Sequence, residues 1–233
     1  MLAPNIEEEI AALAARYGEP CRINVTLTGA PFRPLSADDR IGEVCMVVRR
    51  RNGKLITAVK TFYPPDAFRL LTGGVDHGEA IETALLREIA EETGLDVTVR
   101  RFLTVIEYRL PLEQGDGEAG RWGTGKTGRG GDKEQIVRGI SLAHPPTYSP
   151  AQLQFVTFAF LVDEIGGTFG VVDEDEQIGA FREVVVDELP AMADTLDNVA
   201  DGYHPEIEGS WADWGHFRAV VHRAVYKVLT DMH

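Results

Sequence analysis

The stretch from Thr72 to Leu95 constrains the fold and the chemistry of this chain more than any other. It begins with a glycine-rich segment, Thr72 to Gly78, whose glycines can adopt backbone angles that other residues resist, so a turn is predicted there. A helix is predicted from Glu79 to Thr93. Gly94 is suited to end this helix, because glycine readily takes the left-handed cap conformation.

The predicted helix has an apolar stripe with carboxylates at its edge. Ile81, Leu85 and Ile89 recur at helical spacing, which places them on one face that should pack against a core. Glu92 falls almost on this stripe, and Glu88 falls beside it. Buried carboxylates are costly unless a cation compensates them, and neighbouring like charges raise the cost.

The residues alone allow two interpretations of these charges. Arg87 can neutralise one carboxylate, and the others would then need a further cation. All-oxygen ligands suit a hard ion such as Mg²⁺ or Mn²⁺. In the alternative, the glutamates form a solvated acidic face, and Arg87 and Glu91 are an ordinary ion pair one helical turn apart.

The full pattern resembles the box of the Nudix hydrolase family. That box consists of a glycine, a glutamate, an Arg-Glu pair, an aliphatic residue, a Glu-Glu pair, a glycine and a last aliphatic residue at fixed spacings. Every fixed place is matched here, by Gly73, Glu79, Arg87, Glu88, Ile89, Glu91, Glu92, Gly94 and Leu95. A chance match to so many constrained positions is rare, so the signal is specific.

The resemblance implies a hydrolase that cleaves the diphosphate linkage of a nucleoside diphosphate derivative with Mg²⁺ or Mn²⁺. By position, the metal ligands would be Glu88, Glu91, Glu92 and the carbonyl group of Thr72. Arg87 would orient a glutamate, and Glu79 would support the turn and the water molecules on the metal. A metal ion in such a site neutralises the diphosphate and lowers the pKa of an attacking water.

Family members often take a catalytic base or an extra metal ligand from a loop glutamate outside the box. Glu174 and Glu176 are the first candidates, and Glu134 is the third, although a solvated acidic loop explains any one of them equally well. No zinc site is predicted, because ligand spacing is lacking among His144, His204, His216 and His222.

Composition limits the class of protein. The 233 residues carry a formal net charge of -14, which argues against a general nucleic-acid surface but leaves room for a nucleotide bound through metal. Cys21 and Cys45 are too few for a disulfide framework and favour a reducing, cytoplasmic location. No signal peptide is expected, and no apolar stretch is long enough to span a membrane.

The resemblance and the flanking patterns together predict an α/β/α sandwich around a mixed, curved sheet. The box helix should lie on one face of the sheet and a C-terminal helix on the other. Residues 1–37 are predicted to be a helix-and-strand extension that packs on the main domain or on a second subunit, which leaves a homodimer open. The Nudix domain is assigned to residues 38–190, and a C-terminal helical segment to residues 191–233.

Several strands are expected in the central domain. Glu43 to Arg49 and Leu55 to Lys60 flank Asn52-Gly53, a strong hairpin signal, and so should pair with each other. Further strands are predicted over Val97–Tyr108, Phe155–Val162 and Ala180–Val186. The second of these should be buried on both faces, because nearly every position is apolar.

A glycine-rich stretch from Glu113 to Pro150 is too long for an ordinary connection, and both a substrate-covering loop and a disordered insertion remain open. Gly120 to Thr127 within it matches the phosphate-loop pattern, and a dinucleotide-binding pattern overlaps it. Both patterns need a buried strand before them and a helix after them. The neighbouring residues provide neither, so we expect neither site.

The substrate is the least determined part of the interpretation. ADP-ribose hydrolases of the family tend to carry a proline at a set distance after the box, and Pro111 follows Leu95 by about that distance. ADP-ribose or another ADP-sugar is therefore the first candidate. A nucleoside triphosphate or a dinucleoside polyphosphate is the second.

Two rival classes are kept. A non-catalytic nucleotide sensor could use the same fold, although such proteins tend to lose the box glutamates that this chain retains. An isopentenyl-type isomerase would need a reactive cysteine, and Cys45 has no recognisable partner motif beside it. Trp211 and Trp214 could line a base pocket, although aromatic residues at helical spacing more often belong to a core.

Overall fold

The computed structural model describes residues 2–28, 32–36, 40–111 and 152–231. Within these ranges the chain forms a seven-stranded sheet, a two-stranded hairpin and α-helices on both faces of the large sheet. The stretch from Glu113 to Pro150 lies outside the described residues, and with it Glu134 and the phosphate-loop-like residues. None of the described helices is long and apolar enough to cross a membrane.

The helices are α1 (Pro4–Tyr17), α2 (Ile81–Thr93), α3 (Leu189–Asp197) and α4 (Trp211–Thr230). The strands of the large sheet are β1 (Cys21–Thr26), β2 (Arg40–Arg49), β3 (Leu55–Lys60), β4 (Arg69–Asp76), β5 (Leu95–Pro111), β6 (Gln152–Gly167) and β7 (Ile178–Val184). The hairpin consists of β8 (Tyr203–His204) and β9 (Gly209–Ser210), and short 3-10 turns lie at Glu174–Glu176 and Val186–Glu188.

The large sheet is mixed, as predicted. Its strand order is β1-β5-β6-β2-β4-β3-β7. The pairs β1–β5 and β2–β6 are parallel, whereas β4 pairs antiparallel with β2 and with β3. Strands β2 and β6 lie near the middle, so the long apolar run of β6 is buried on both faces.

Different helices cover the two faces of the sheet. Val44 and Met46 of β2 belong to the apolar cluster that contains α1 and α2, while the alternating Cys45 and Val47 belong to the cluster that contains α3 and α4. This division follows from the two-residue period of a strand, which sends successive side chains to opposite faces. The predicted α/β/α sandwich is confirmed, with the box helix α2 and the terminal helix α4 on opposite sides.

The predicted pairing of the two strands around Asn52-Gly53 is largely wrong. The turn forms, because Gly53 N donates to Arg50 O at 2.9 Å and Gly53 has a φ of 84°. After it, β2 and β3 share a single register pair, Arg49 with Leu55. The two strands diverge because β4 lies between them and provides hydrogen-bonding partners to both.

The glycine-rich segment is also only partly a turn. Residues from Thr72 to Asp76 continue β4, and Gly73 pairs with Val44 of β2. The chain turns only afterwards, where Gly78 has a φ of 83°, and the helix begins at Ile81 rather than at Glu79. Its end is as predicted: Gly94 adopts the left-handed conformation with a φ of 65°.

The N-terminal extension packs on the main domain and holds the start of the box helix. Strand β1 extends the sheet beside β5, and α1 shares an apolar cluster with α2. The N-cap residue of α2, Ala80, has no side-chain acceptor, and Glu9 of α1 instead accepts a hydrogen bond from Ile81 N at 2.6 Å. Glu82 accepts a hydrogen bond from Tyr17 at 2.5 Å, which ties the two helices together again. The homodimer stays a prediction.

Replacing Glu9 with alanine should lower the free energy of unfolding by about 1 kcal/mol, the typical cost of losing an N-terminal cap. The matched control is Glu8→Ala on the same helix, because Glu8 is exposed and should change stability by less than about 0.5 kcal/mol. Urea denaturation of the two variants makes the comparison. Equal stabilities would show that Glu9 does not cap the box helix.

Candidate functional site

The candidate site lies where α2 crosses β4, and two glycines allow the close contact. A Cβ atom at Gly73 would lie 2.0 Å from the Cδ of Glu88, so a larger residue would displace that carboxyl group. A Cβ atom at Gly74 would lie 2.9 Å from Nη1 of Arg40. These glycines are therefore needed for close approach, and not for the unusual backbone angles that the sequence suggested.

Arg87 connects the acidic residues of the box. Its Nε and Nη2 atoms donate to the two carboxylate oxygens of Glu79, each at 2.9 Å. Its Nη1 atom donates to Glu88 at 2.9 Å and to Glu91 at 3.0 Å. Nη2 also donates to the carbonyl oxygen of Gly74 at 3.1 Å, which fixes the guanidinium group against β4. One cation thus orients several carboxylates through charge-assisted hydrogen bonds.

Glu79 lies at the turn between β4 and α2. Besides its bonds to Arg87, it accepts a hydrogen bond from the backbone nitrogen of Asp76 at 3.3 Å. The hydrogen bond from Arg87 is the main cause that lowers the pKa of Glu79 below its ordinary value. Glu79 is therefore ionised at neutral pH and joins the turn to the helix.

The carboxylates of Glu88 and Glu92 are buried. Glu92 is only 1% exposed, and its Oε2 atom has no hydrogen-bond partner in the described part of the chain. Burial raises the pKa of Glu92 to about 8, against the opposing effect of Arg69 and Lys60. Burial also raises the pKa of Glu88, although Arg87 opposes it.

Glu176 is brought to this site by the segment that follows β6. The backbone nitrogens of Val172 and Asp173 each donate to the carbonyl oxygen of Glu91 at 3.3 Å, so the segment runs along the end of α2. The 3-10 turn that follows places Glu176 near enough to raise the pKa of both Glu88 and Glu92. Lys60 Nζ donates to Glu176 at 3.2 Å. The Glu174 side chain lies outside the described part.

The chemistry of these groups fits a hard divalent cation. The unpartnered oxygen of Glu92 and the carboxylates beside it are the oxygen ligands that Mg²⁺ and Mn²⁺ prefer. As the described residues stand, no three acidic, histidine or cysteine side chains are gathered to hold a metal ion. Arg87 bonds one oxygen of Glu88 and one oxygen of Glu91, which leaves the second oxygen of each carboxylate for a metal ion.

A basic pocket that sequence reasoning missed lies on the other side of β4. Its volume is about 250 Å³, and it is bordered by Thr72, Gly73 and Gly74 of that strand. The cationic side chains that line it are Arg33, Arg40, Lys60, Arg69 and Arg218. They come from distant parts of the chain, so no local pattern could have predicted the pocket. We refer to it below as the basic pocket.

Several other candidate residues have clear positions. Thr72 lies in β4, and its hydroxyl group accepts a hydrogen bond from Arg69 at 3.0 Å. Trp211 and Trp214 belong to the apolar core under α4, and Trp214 also lines the basic pocket. Cys45 is fully buried, and burial raises the pKa of its thiol.

The sequence model of the NUDIX domain matches residues 39–125. This stretch of the chain therefore matches the NUDIX domain, and the resemblance seen in the box is confirmed for it. The match covers the box, β2 to β4 and all of β5. It leaves out α1, β1 and α4.

Two curated proteins are similar to part of the chain. An RNA pyrophosphohydrolase of Gluconobacter oxydans is 38% identical over 64 residues, which cover 28% of this chain and 33% of that protein. An RNA pyrophosphohydrolase of Tolumonas auensis is 37% identical over 92 residues, which cover 36% of this chain and 45% of that protein. The chain thus spans less than half the length of these relatives.

Solved structures with a related arrangement include a UDP-X diphosphatase, with a TM-score of 0.43 and 15% identity over 86% of this chain and 68% of that one. A NUDIX hydrolase from Nitrosomonas europaea has a TM-score of 0.41 and 13% identity, and the match covers 79% of this chain and 88% of that one.

The burial of Glu92 predicts how stability depends on pH in metal-free protein. Because its pKa is about 8 in the folded chain and near 4.5 when unfolded, the folded chain binds the proton more tightly between these values. Stability attributable to Glu92 should therefore be lost as the pH rises from about 4.5 to about 8. The Glu92→Gln variant has no carboxyl group at this position, so its stability should not fall in this way.

The quantity compared is the free energy of unfolding of Glu92→Gln minus that of wild type. We expect this difference to rise by more than about 1 kcal/mol between pH 5 and pH 8, since one pKa unit corresponds to about 1.4 kcal/mol. Denaturation in the presence of a chelator measures this difference. A difference independent of pH would mean that Glu92 ionises normally in the folded protein.

Proposed function

We propose that this protein hydrolyses the diphosphate linkage of a nucleoside diphosphate derivative with the help of a divalent metal ion. The observation that carries the proposal is the buried carboxylate of Glu92, which has an unpartnered oxygen and lies beside Glu88. A carboxylate in this position is costly unless a cation or a proton compensates it. Its place within a complete Nudix box makes a metal ion the favoured partner.

In the proposed reaction, a water oxygen bonds to one phosphorus atom while the bond from that atom to the bridging oxygen breaks. The leaving phosphate departs with the bridging oxygen, and a carboxylate base accepts the proton of the water. A bound Mg²⁺ or Mn²⁺ would neutralise the diphosphate and lower the pKa of the water. The groups proposed to hold it are Glu88, Glu91, Glu92 and the carbonyl group of Thr72.

The remaining residues of the site have proposed roles that follow from their contacts. Arg87 and Glu79 keep the box carboxylates oriented, because they are joined by two hydrogen bonds. Glu91 is more exposed than the other two carboxylate candidates, since its side chain is 39% exposed. Glu176 is a candidate base or extra ligand because of its electrostatic contact with Glu88 and Glu92, and Glu174 is the alternative in the same turn.

The substrate is proposed only by class. ADP-ribose or an ADP-sugar remains the first candidate from the sequence, on the evidence of Pro111, which ends β5. A nucleoside triphosphate or a dinucleoside polyphosphate is the second candidate. The relatives named as RNA pyrophosphohydrolases add the phosphorylated end of an RNA to this second class. A general nucleic-acid surface is still not expected from the net charge, and a cytoplasmic location stays a prediction.

The rival classes are weaker on this geometry. A reactive cysteine, as an isomerase would need, must be accessible as a thiolate, and Cys45 is buried in the core with a raised pKa. A nucleotide sensor needs no catalytic metal site, so the buried Glu92, with its unpartnered oxygen inside a complete set of box glutamates, favours an enzyme.

A product assay should show metal-dependent cleavage of at least one nucleotide substrate. The panel contains ADP-ribose, nucleotide sugars, dinucleoside polyphosphates, nucleoside triphosphates and a short RNA with a 5′-triphosphate, each with Mg²⁺ or Mn²⁺ and again with a chelator. Release of AMP from ADP-ribose would support the first substrate class. If the whole panel stays intact in the presence of metal, the proposed activity is wrong.

Glu92→Gln should fold but lose at least about tenfold in turnover, the low end of the loss typical of a metal-site carboxylate. Glu8→Gln is the control for the same chemical change at an exposed position. Circular dichroism would verify the fold, and turnover on the best substrate of the panel would be compared. Wild-type turnover of the Glu92 variant would remove this residue from the metal site.

A further inference from the structure

We propose that the basic pocket binds a phosphate group that lies outside the scissile linkage, so that the substrate carries a chain of three or more phosphates. This inference rests on the proposed function for the position of the scissile linkage. It selects the second substrate class over ADP-ribose, which has only the diphosphate.

The lining of the pocket carries more cations than carboxylates. Five cationic side chains line it with two carboxylates, Glu43 and Glu206, whereas the whole chain has a formal net charge of -14. Two of the five cations are also ion-paired outside the lining, Arg33 with Glu208 and Lys60 with Glu176. A cleft lined by one sign of charge concentrates ions of the other sign, and its walls strengthen the attraction. The pocket is therefore suited to an anion with several charges.

Arg69 is the strongest evidence for a bound anion. It is only 4% exposed and lines the pocket. Its hydrogen bonds go to uncharged acceptors: the hydroxyl group of Tyr63 at 3.1 Å, the carbonyl oxygen of Leu70 at 2.9 Å and the hydroxyl group of Thr72. In the described part of the chain, no carboxylate bonds directly to Arg69, although the charges of Glu92 and Glu43 favour its ionised form. A phosphate oxygen in the pocket would give this buried cation a direct counter-ion.

Arg218 adds a second buried group at the same wall. Its Nη1 atom donates to both carboxylate oxygens of Glu43, at 2.8 and 2.7 Å, which joins α4 to β2. Its Nε atom is buried and has no hydrogen-bond partner in the described residues. Arg218 is thus largely neutralised by Glu43, but it retains a donor.

The pocket and the box carboxylates are separated only by β4. On one side of this strand, Gly73 contacts Glu88 and the carbonyl oxygen of Gly74 accepts from Arg87. On the other side, Gly74 contacts the guanidinium group of Arg40, and Thr72 accepts from Arg69. The short stretch from Thr72 to Gly74 therefore borders both the pocket and the box carboxylates.

Lys60 connects the two sides. It lines the pocket, donates to Glu176 and lowers the pKa of Glu92 by its charge. A phosphate chain that runs from the box to the pocket would pass this ammonium group. A nucleoside triphosphate and an RNA with a 5′-triphosphate share the required chemistry, so the experiment must distinguish them.

The first test measures binding of inorganic tripolyphosphate by calorimetry in the presence of a chelator, so that no metal bridges the probe to the carboxylates. We expect wild type to bind, and Arg40→Gln and Arg69→Met each to raise Kd by at least about tenfold, because each variant loses a cationic donor to the probe. Arg51→Gln is the matched control, because Arg51 is exposed in the turn after β2 and loses the same charge.

The second test compares kcat/KM with Mg²⁺ on ATP, on a short RNA with a 5′-triphosphate and on ADP-ribose. Arg40→Gln should lower kcat/KM at least about tenfold on a triphosphate substrate, and by less than about threefold on ADP-ribose. The better of the two triphosphate substrates identifies the source of the phosphate chain. Arg40 is only half-buried, so Arg40→Gln keeps the test usable if Arg69→Met does not fold.

The outcomes separate this inference from the proposed function. If wild type binds tripolyphosphate through Arg40 and Arg69, the phosphate site stands even where no substrate of the panel is cleaved. If wild type does not bind tripolyphosphate, or if both variants bind it as wild type does, the phosphate site is wrong, although hydrolysis of ADP-ribose would still support the proposed function. Equal losses of kcat/KM on triphosphates and ADP-ribose would also overturn it.

Discussion

The burial of Glu88 and Glu92 between α2 and the sheet is the constraint on which the rest of the site depends. Removing carboxylates from water is costly, and burial raises the pKa of both. Arg87 offsets part of this cost through hydrogen bonds to Glu88, Glu79 and Glu91. Glu92 remains without a partner for one oxygen, so a proton or a metal ion must compensate it.

Strand β4 divides the site into an acidic and a basic half. It can do so because two of its residues have no side chain: Gly73 gives room to Glu88, and Gly74 gives room to Arg40. A metal-bound phosphate chain would need both kinds of charge. Carboxylates would hold the metal ion, and cations would bind the phosphate group at the free end of the chain. The proposed function and the inferred phosphate site are thus two parts of one arrangement.

Elements outside the matched domain hold this arrangement in place. Helix α1 provides the cap at the start of the box helix through Glu9, and the segment after β6 binds the end of that helix at Glu91. Helix α4 contributes Arg218 to the basic pocket and joins it to β2 through Glu43. The box helix is therefore fixed at both ends by parts of the chain that its motif does not include.

The sequence by itself determined the local features. It predicted the box helix with its buried stripe, the left-handed Gly94 and the carboxylates at the edge of the core, because these depend on residue spacing within one element. The layered α/β/α fold was predicted from the resemblance of the box together with the flanking patterns. It misjudged the pairing of β2 with β3 and the extent of the glycine turn. Both depend on β4, whose position between the strands is a non-local property.

Only the tertiary structure decided which distant residues meet. The cap from Glu9, the approach of Glu176 to Glu92 and the pocket that gathers Arg40, Arg69 and Arg218 join residues far apart in the chain. Side-chain periodicity says which face a residue occupies, but it does not say which other element lies opposite that face. The packing of the sheet and the helices decides which elements lie opposite each other. Here this packing brings cationic residues from distant parts of the sequence to one side of β4.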